Sequence, residues 1–210
     1  MLPINFPHLI GFCGYARTGK DTAYQYLSKL IEKKYEHKGN VRIAFADKIK
    51  EHLKPLYDIS KKLGYDISIP ENKEKFRPMY VEWSKVLKKL TSNETIWLDL
   101  VKEDIANNIY LNNIVYITDV RYYYEVEYIL SKGGKVIFLE RNDITAPNIE
   151  EEMSFREIKN LYKSYIERYI VYNNDSKEKL AENCLNVLLK GELKWKVLRI
   201  LLLMKQKINF

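Results

Sequence analysis

Five short apolar runs punctuate the chain: "HLIGFC" at 8–13, "VRIAFA" at 41–46, "NIVYITD" at 113–119, "KVIFLER" at 135–141 and "YIVYNN" at 169–174. Each is too short for a helix, and between them lie stretches whose apolar residues recur at helical spacing. Strands separated by helices cannot pair as hairpins. They line up parallel, and near-continuous apolarity means both faces of the sheet are covered. The expected fold class is α/β, a parallel five-stranded sheet with helices on both faces, and ligands of such sheets bind at the carboxyl ends of the strands.

The helical stretches read as 20–35; then 47–64, interrupted at Pro55; 78–90 and 94–109, after a polar connection over 65–76; 123–134, closed by glycines; 148–165, highly charged; and 176–190. The tail "GELKWKVLRILLLMKQKINF", 191–210, carries an apolar stripe and basic residues. It reads as an amphipathic helix packed on the domain or on a second subunit, which leaves a homodimer open, or as a membrane-surface helix. A chain of 210 residues without repeats or a Gly/Ser linker is expected to be one domain.

Two cysteines, Cys13 and Cys184, are too few for a disulfide framework and have no metal-ligand spacing, so a reducing, cytoplasmic location is expected. The opening "MLPINFPHLIGF" has no signal-peptide pattern, and no apolar run reaches about 18 residues, so no membrane partner is expected. The net charge of +7 suits either nucleic acid or phosphorylated small molecules, and composition alone does not choose.

The first run is followed by "GYARTGK", Gly14 to Lys20, the pattern G-x-x-x-x-G-K between a strand and a helix. Glycines let successive backbone N–H groups curl around a phosphate, the helix N-terminus adds partial positive charge, and the lysine reaches the outer phosphates. An ordinary glycine turn is the bland alternative. The residue after Lys20 is Asp21, where the general pattern has Ser or Thr for magnesium, and Thr22 follows; either Asp21 through a water or the Thr22 hydroxyl would serve the metal. Arg17 either lies over the nucleotide or is a solvated loop arginine.

The third run delivers Asp119 and Arg121 to a strand's carboxyl end. A carboxylate there suits the role of orienting magnesium and its waters, and a guanidinium suits a phosphate. The alternative is a helix-capping Asp and a surface Arg.

Taken in order, "GYARTGKDTAYQYL", "AFADKIKE", "FRPMYVEWSKVLKKL…IWLDLV", "IVYITDVRYYYEVEYI", "GGKVIFLER" and "IVYNNDSKEKL" resemble the phage-type deoxynucleoside monophosphate kinases, over about Leu9 to Leu189. The resemblance implies the P-loop nucleoside monophosphate kinase fold and transfer of the γ-phosphoryl of ATP, with Mg2+, to a deoxynucleoside monophosphate. It implies no nucleic-acid partner, and a host cytoplasm if the source is viral. It divides the chain 1–210 into core segments (about 8–46, 113–141 and 169–190), an acceptor-binding helical insertion (about 47–112), a lid (about 142–168) and the tail. The loop Gly14, Ala16, Arg17, Thr18, Gly19, Lys20, Asp21 and Thr22 would hold ATP, with Lys20 on the transferring phosphate. Lys50, Arg77, Trp97, Asp119, Arg121 and Glu125 match the substrate side, and Arg141 is suited to stacking on adenine or closing on the phosphates. The chain departs from the pattern at Ser84–Lys85, where relatives carry Gly-Thr, and at Ile149–Glu152, where they carry a His before Ser/Thr-Glu. Dephospho-coenzyme A kinase, phosphomevalonate kinase and a non-catalytic nucleotide-binding P-loop protein are the alternatives.

Overall fold

The computed structural model describes residues 1–190, less the side chains of Pro70, Lys73 and Glu74; the expected tail helix over 191–210 lies outside the described residues. The chain divides into two compact units, one built from Met1–Arg42 and the chain from Asn108 onward, the other from Ile43–Asn107.

The first unit holds the sheet. Its strands are β1 (Leu9–Cys13), β2 (Asn40–Ile43), β3 (Ile114–Val120), β4 (Lys135–Glu140) and β5 (Ile170–Tyr172), in the spatial order β2-β3-β1-β4-β5. β1 pairs in parallel with β3 on one side and β4 on the other, and β4 pairs in parallel with β5. Every residue of β1 is buried, as are all of β3 except Asp119 and all of β4 except Glu140. From β1 the chain goes to the edge for β2, returns to β3 beside β1, then crosses to the other side for β4 and β5. The loop after β1 therefore sits where the winding reverses, and this is where parallel sheets open a crevice.

Four helices cover the sheet: α1 (Lys20–Tyr35), α6 (Tyr123–Ser131), α7 (Ile149–Tyr169) and α8 (Lys177–Leu189). α1 packs on α8, and α6 packs on α7. Right-handed crossovers put the first pair on one face and the second on the other. α7 is two helices in one, with a non-helical backbone at Tyr162. From Phe155 onward it turns Phe155, Ile158, Tyr162, Tyr165, Ile166 and Tyr169 inward, and Tyr165 Oη accepts the Val136 N–H of β4 at 3.0 Å. Within the segment expected as a lid, 142–168, Phe155, Ile158, Tyr162, Tyr165 and Ile166 are buried.

The second unit is helical: α2 (Phe45–Lys62), α3 (Pro70–Thr91), the short α4 (Ile96–Asp99) and α5 (Lys102–Tyr110), which runs on into the first unit. Several boundaries differ from the sequence expectation. The strand expected to reach Ala46 ends at Ile43, because Ala44 is an extended N-cap and Phe45 opens α2. α2 also continues through Pro55. That proline is exposed while Leu53 and Tyr57 on either side are buried, so the carbonyl it deprives of a partner faces water. α3 begins eight residues earlier than the expected 78, at Pro70, a residue preset for a first helical turn. The helix expected over 94–109 breaks after Asp99, where the Val101 N–H bonds Leu98 O at 3.1 Å, an i→i+3 contact that tightens the chain.

Among the described residues no helix is long and apolar enough to cross a membrane.

Candidate anion-binding site

The loop Gly14–Gly19 leaves the buried end of β1 and enters α1 at Lys20. Two glycines permit its path. Gly14 has φ +149° and Gly19 φ +97°, and a Cβ on Gly14 would collide with the Leu139 carbonyl of β4, one on Gly19 with the Asn173 amide. α1 carries no side-chain cap on its first N–H groups, so its positive end is open to an anion.

Side chains brace the loop from inside. Thr18 is buried, its hydroxyl donating to Tyr15 O at 2.8 Å, and Asn173 Nδ2, just past β5, donates to Thr18 O at 2.9 Å. Lys20 Nζ folds back to donate to the carbonyls of Gly14 (2.7 Å) and Tyr15 (2.8 Å). Burial first, and then the Arg121 guanidinium, pushes the Lys20 ammonium below its usual range. Both causes disfavour the charged lysine.

β3 supplies the second wall. Asp119 and Arg121 lie at its carboxyl end, beside β1, with Val120 in register with Cys13. The carboxylate of Asp119 and that of Glu151 partly restore the Lys20 pKa, so both act on that ammonium. Glu125 is buried: its Oε2 accepts the backbone N–H groups of Arg121 (2.7 Å) and Tyr122 (3.0 Å), a capping box at the start of α6. Its contacts are with the main chain that carries Arg121. Burial pushes its carboxyl up to about 8 despite those two bonds. On the other flank of β1, Arg141 follows β4 and is exposed.

Ala16 and Arg17 complete the loop. Arg17 is exposed with φ +67°. The Ala16 N–H donates at 2.7 Å to Oε1 of Glu151, in the first turn of α7. Neither Glu151 nor Asn173 was identified from sequence. Both come from more than 130 positions away, and the only signal was that the acidic run "IEEEM" stands where relatives of the resembled family place a Ser/Thr-Glu.

Asp21 is mostly exposed and pairs with Arg42 of β2 at 3.3 Å; Thr22 is half-buried. No group of three or more His, Cys, Asp or Glu able to hold a metal occurs among the described residues. Magnesium needs no such cage, since it keeps its waters and takes one or two carboxylates plus phosphate oxygens, and Asp119 beside the loop fits that donor set. Cys13, next to the loop, is no nucleophile: burial pushes its thiol up to about 12.

The remaining expected residues lie in the helical unit. Lys50 pairs with Asp47 at 2.6 Å, Arg77 is exposed on α3, and Trp97 is buried, its indole N–H donating to Ser84 O at 3.4 Å and its ring edge-on to His52. Trp97 is part of that unit's core.

The fold and loop define a parallel α/β protein with a glycine-rich loop at the carboxyl end of its central strand. Its structure is similar to a shikimate kinase from Aquifex aeolicus vf5, at 17% identity over 87% of this chain and 99% of that one, with a TM-score of 0.38. No protein-family model and no curated protein matches the sequence.

Proposed function

We propose that this chain is a small-molecule P-loop kinase that transfers the γ-phosphoryl group of ATP to a deoxynucleoside 5′-monophosphate with Mg2+. The observation that supports the reading is the Lys20 ammonium folded onto the glycine loop after the central strand, its pKa lowered first by burial and then by the Arg121 guanidinium. Phosphoryl transfer asks a protein for little covalent chemistry; it asks for alignment and for neutralisation of charge spreading over the transferred oxygens.

In this reading the glycine loop and the open end of α1 cradle the ATP phosphates. Lys20 leaves the carbonyls of Gly14 and Tyr15 and meets the transferring group. Asp119, with Asp21 or Thr22, would hold Mg2+, which would supply neutralisation of the phosphate charge. Arg121 steadies the acceptor phosphate and is itself held by Glu125, which ties down the backbone at Arg121 and Tyr122. Lys50, Arg77 and Trp97 are assigned to the acceptor by the resemblance, and Arg141 to ATP.

A coupled ADP-release assay tests this, with dGMP, dTMP, dCMP, dAMP, the ribonucleotides, dephospho-coenzyme A and phosphomevalonate as acceptors. Turnover of at least one deoxynucleotide, lost in EDTA, is expected. Turnover confined to a non-nucleotide acceptor would move the chain to another branch of P-loop kinases, and ATP binding with no turnover would make it a non-catalytic nucleotide binder.

A further inference from the structure

Glu151 is a surface-type residue in an interior-type setting. It lies in the first turn of α7, yet its side chain is only 9% exposed. Oε1 takes the Ala16 N–H of the glycine loop, and Oε2 is buried without a hydrogen bond, 3.8 Å from Arg121 Nη1. Four residues on, on the same helical face, Phe155 packs edge-on against Tyr15 at 4.9 Å between centroids. Asn148 caps this turn, its Oδ1 accepting the Glu151 N–H at 2.8 Å, so the carboxylate is aimed by the helix that carries it.

A backbone N–H of the glycine loop, a guanidinium and a nearby lysine ammonium are the partners a phosphate oxygen would take. We propose that Glu151 is a built-in phosphate surrogate: its carboxylate occupies the anion site of the loop and must be displaced before a nucleotide phosphate can bind. This rests on the reading of Gly14–Lys20 as a phosphate loop. An isolated buried carboxylate is costly, and the half-satisfied Oε2 means that its hold is incomplete. A divalent or trivalent phosphate that satisfies the same donors more fully evicts it. Eviction then moves the first turn of α7, where Glu151 and the Asn148 cap reside, while the buried half beyond Phe155 stays on the sheet. Nucleotide occupancy and the position of 149–154 thereby become one equilibrium.

A loop that is occluded most of the time loses apparent affinity in proportion, so a tenth of molecules open costs about tenfold. Calorimetric titration with inorganic tripolyphosphate measures this on the full chain. Glu151→Ala should bind about tenfold tighter than wild type. Glu151→Gln, uncharged but still able to accept the Ala16 N–H, should fall between them, whereas a purely long-range charge effect would make the two variants equal. Lys20→Ala separates the two ideas under test. If it abolishes binding while Glu151→Ala binds no tighter than wild type, the surrogate is wrong and the phosphate loop stands; if Lys20→Ala binds like wild type, or wild type and Glu151→Ala both fail to bind, the phosphate loop itself is wrong and the surrogate falls with it. Wild-type amide exchange decides the same point without substitution. Saturating tripolyphosphate should speed exchange over 149–154 by at least about threefold, and unchanged or slower exchange there overturns the proposal.

Discussion

Lys20 sits with its ammonium turned back on two carbonyls of its own loop, and burial together with Arg121 makes that charge uncomfortable. A cation so placed contributes little to the empty fold and much to a bound anion. Lys20→Ala should therefore cost at least about a hundredfold in phosphoryl transfer, roughly 2.7 kcal/mol of transition-state stabilisation, and shift Tm by no more than a few degrees. Steady-state kinetics beside a thermal melt check both halves; near-wild-type kcat would remove the lysine from the chemistry. At this scale the sequence was legible where chemistry is local. Gly14, Gly19 and Lys20 sit within seven positions, and their spacing implies their geometry. Glu151 and Asn173 were not legible, because they reach the loop only through the packing of α7 and β5. Thr18 was expected to hold nucleotide; its hydroxyl donates to Tyr15 O.

Among the elements, α6 positions Arg121, the residue proposed to bind the acceptor, through a neighbour that need not touch ligand. Glu125 closes the capping box and holds the backbone on which Arg121 rides. Its carboxyl lies at about 8 in the fold against 4.5 for the free group, so the folded chain keeps the proton more firmly than the unfolded one. That contribution to stability is complete below about pH 4.5 and drains away as pH rises through about 8, on the order of a few kcal/mol in all. Glu125→Gln has no proton to lose in this range. Wild-type Tm should therefore fall relative to the variant between about pH 5 and pH 8, and parallel Tm–pH curves for the two proteins would show that Glu125 does not titrate there. The element boundaries that sequence misjudged have separate local causes. At Ala44–Ala46 an extended Ala44 N-cap and buried Phe45 start the helix early, at Pro55 the proline sits on the exposed face between buried Leu53 and Tyr57, and at Pro70 a proline in the first turn opens the helix.

At the scale of the whole molecule, the chain divides into a sheet unit and a helical unit. Arg77 on α3 belongs to the helical unit, and the resemblance assigns it to the acceptor. Arg77→Ala should raise the acceptor KM about tenfold or more and leave the ATP KM unchanged, with poor rescue by Arg77→Lys because a point charge cannot make a bidentate contact. Varying each substrate in turn decides it: a weakened ATP KM with an unchanged acceptor KM would place Arg77 with the nucleotide. By itself the sequence determined the parallel α/β class, the order of strands and helices along the chain, and the loop with its lysine. Those follow from periodicity, from glycine's freedom and from strand–helix alternation, all properties of neighbouring residues. Only the tertiary structure decided the strand order that sets β3 and β4 on either side of β1, the burial of Glu125 and Trp97, and the arrival of Glu151 at the Ala16 N–H. These depend on which distant surfaces exclude water together, and no window of sequence contains that information.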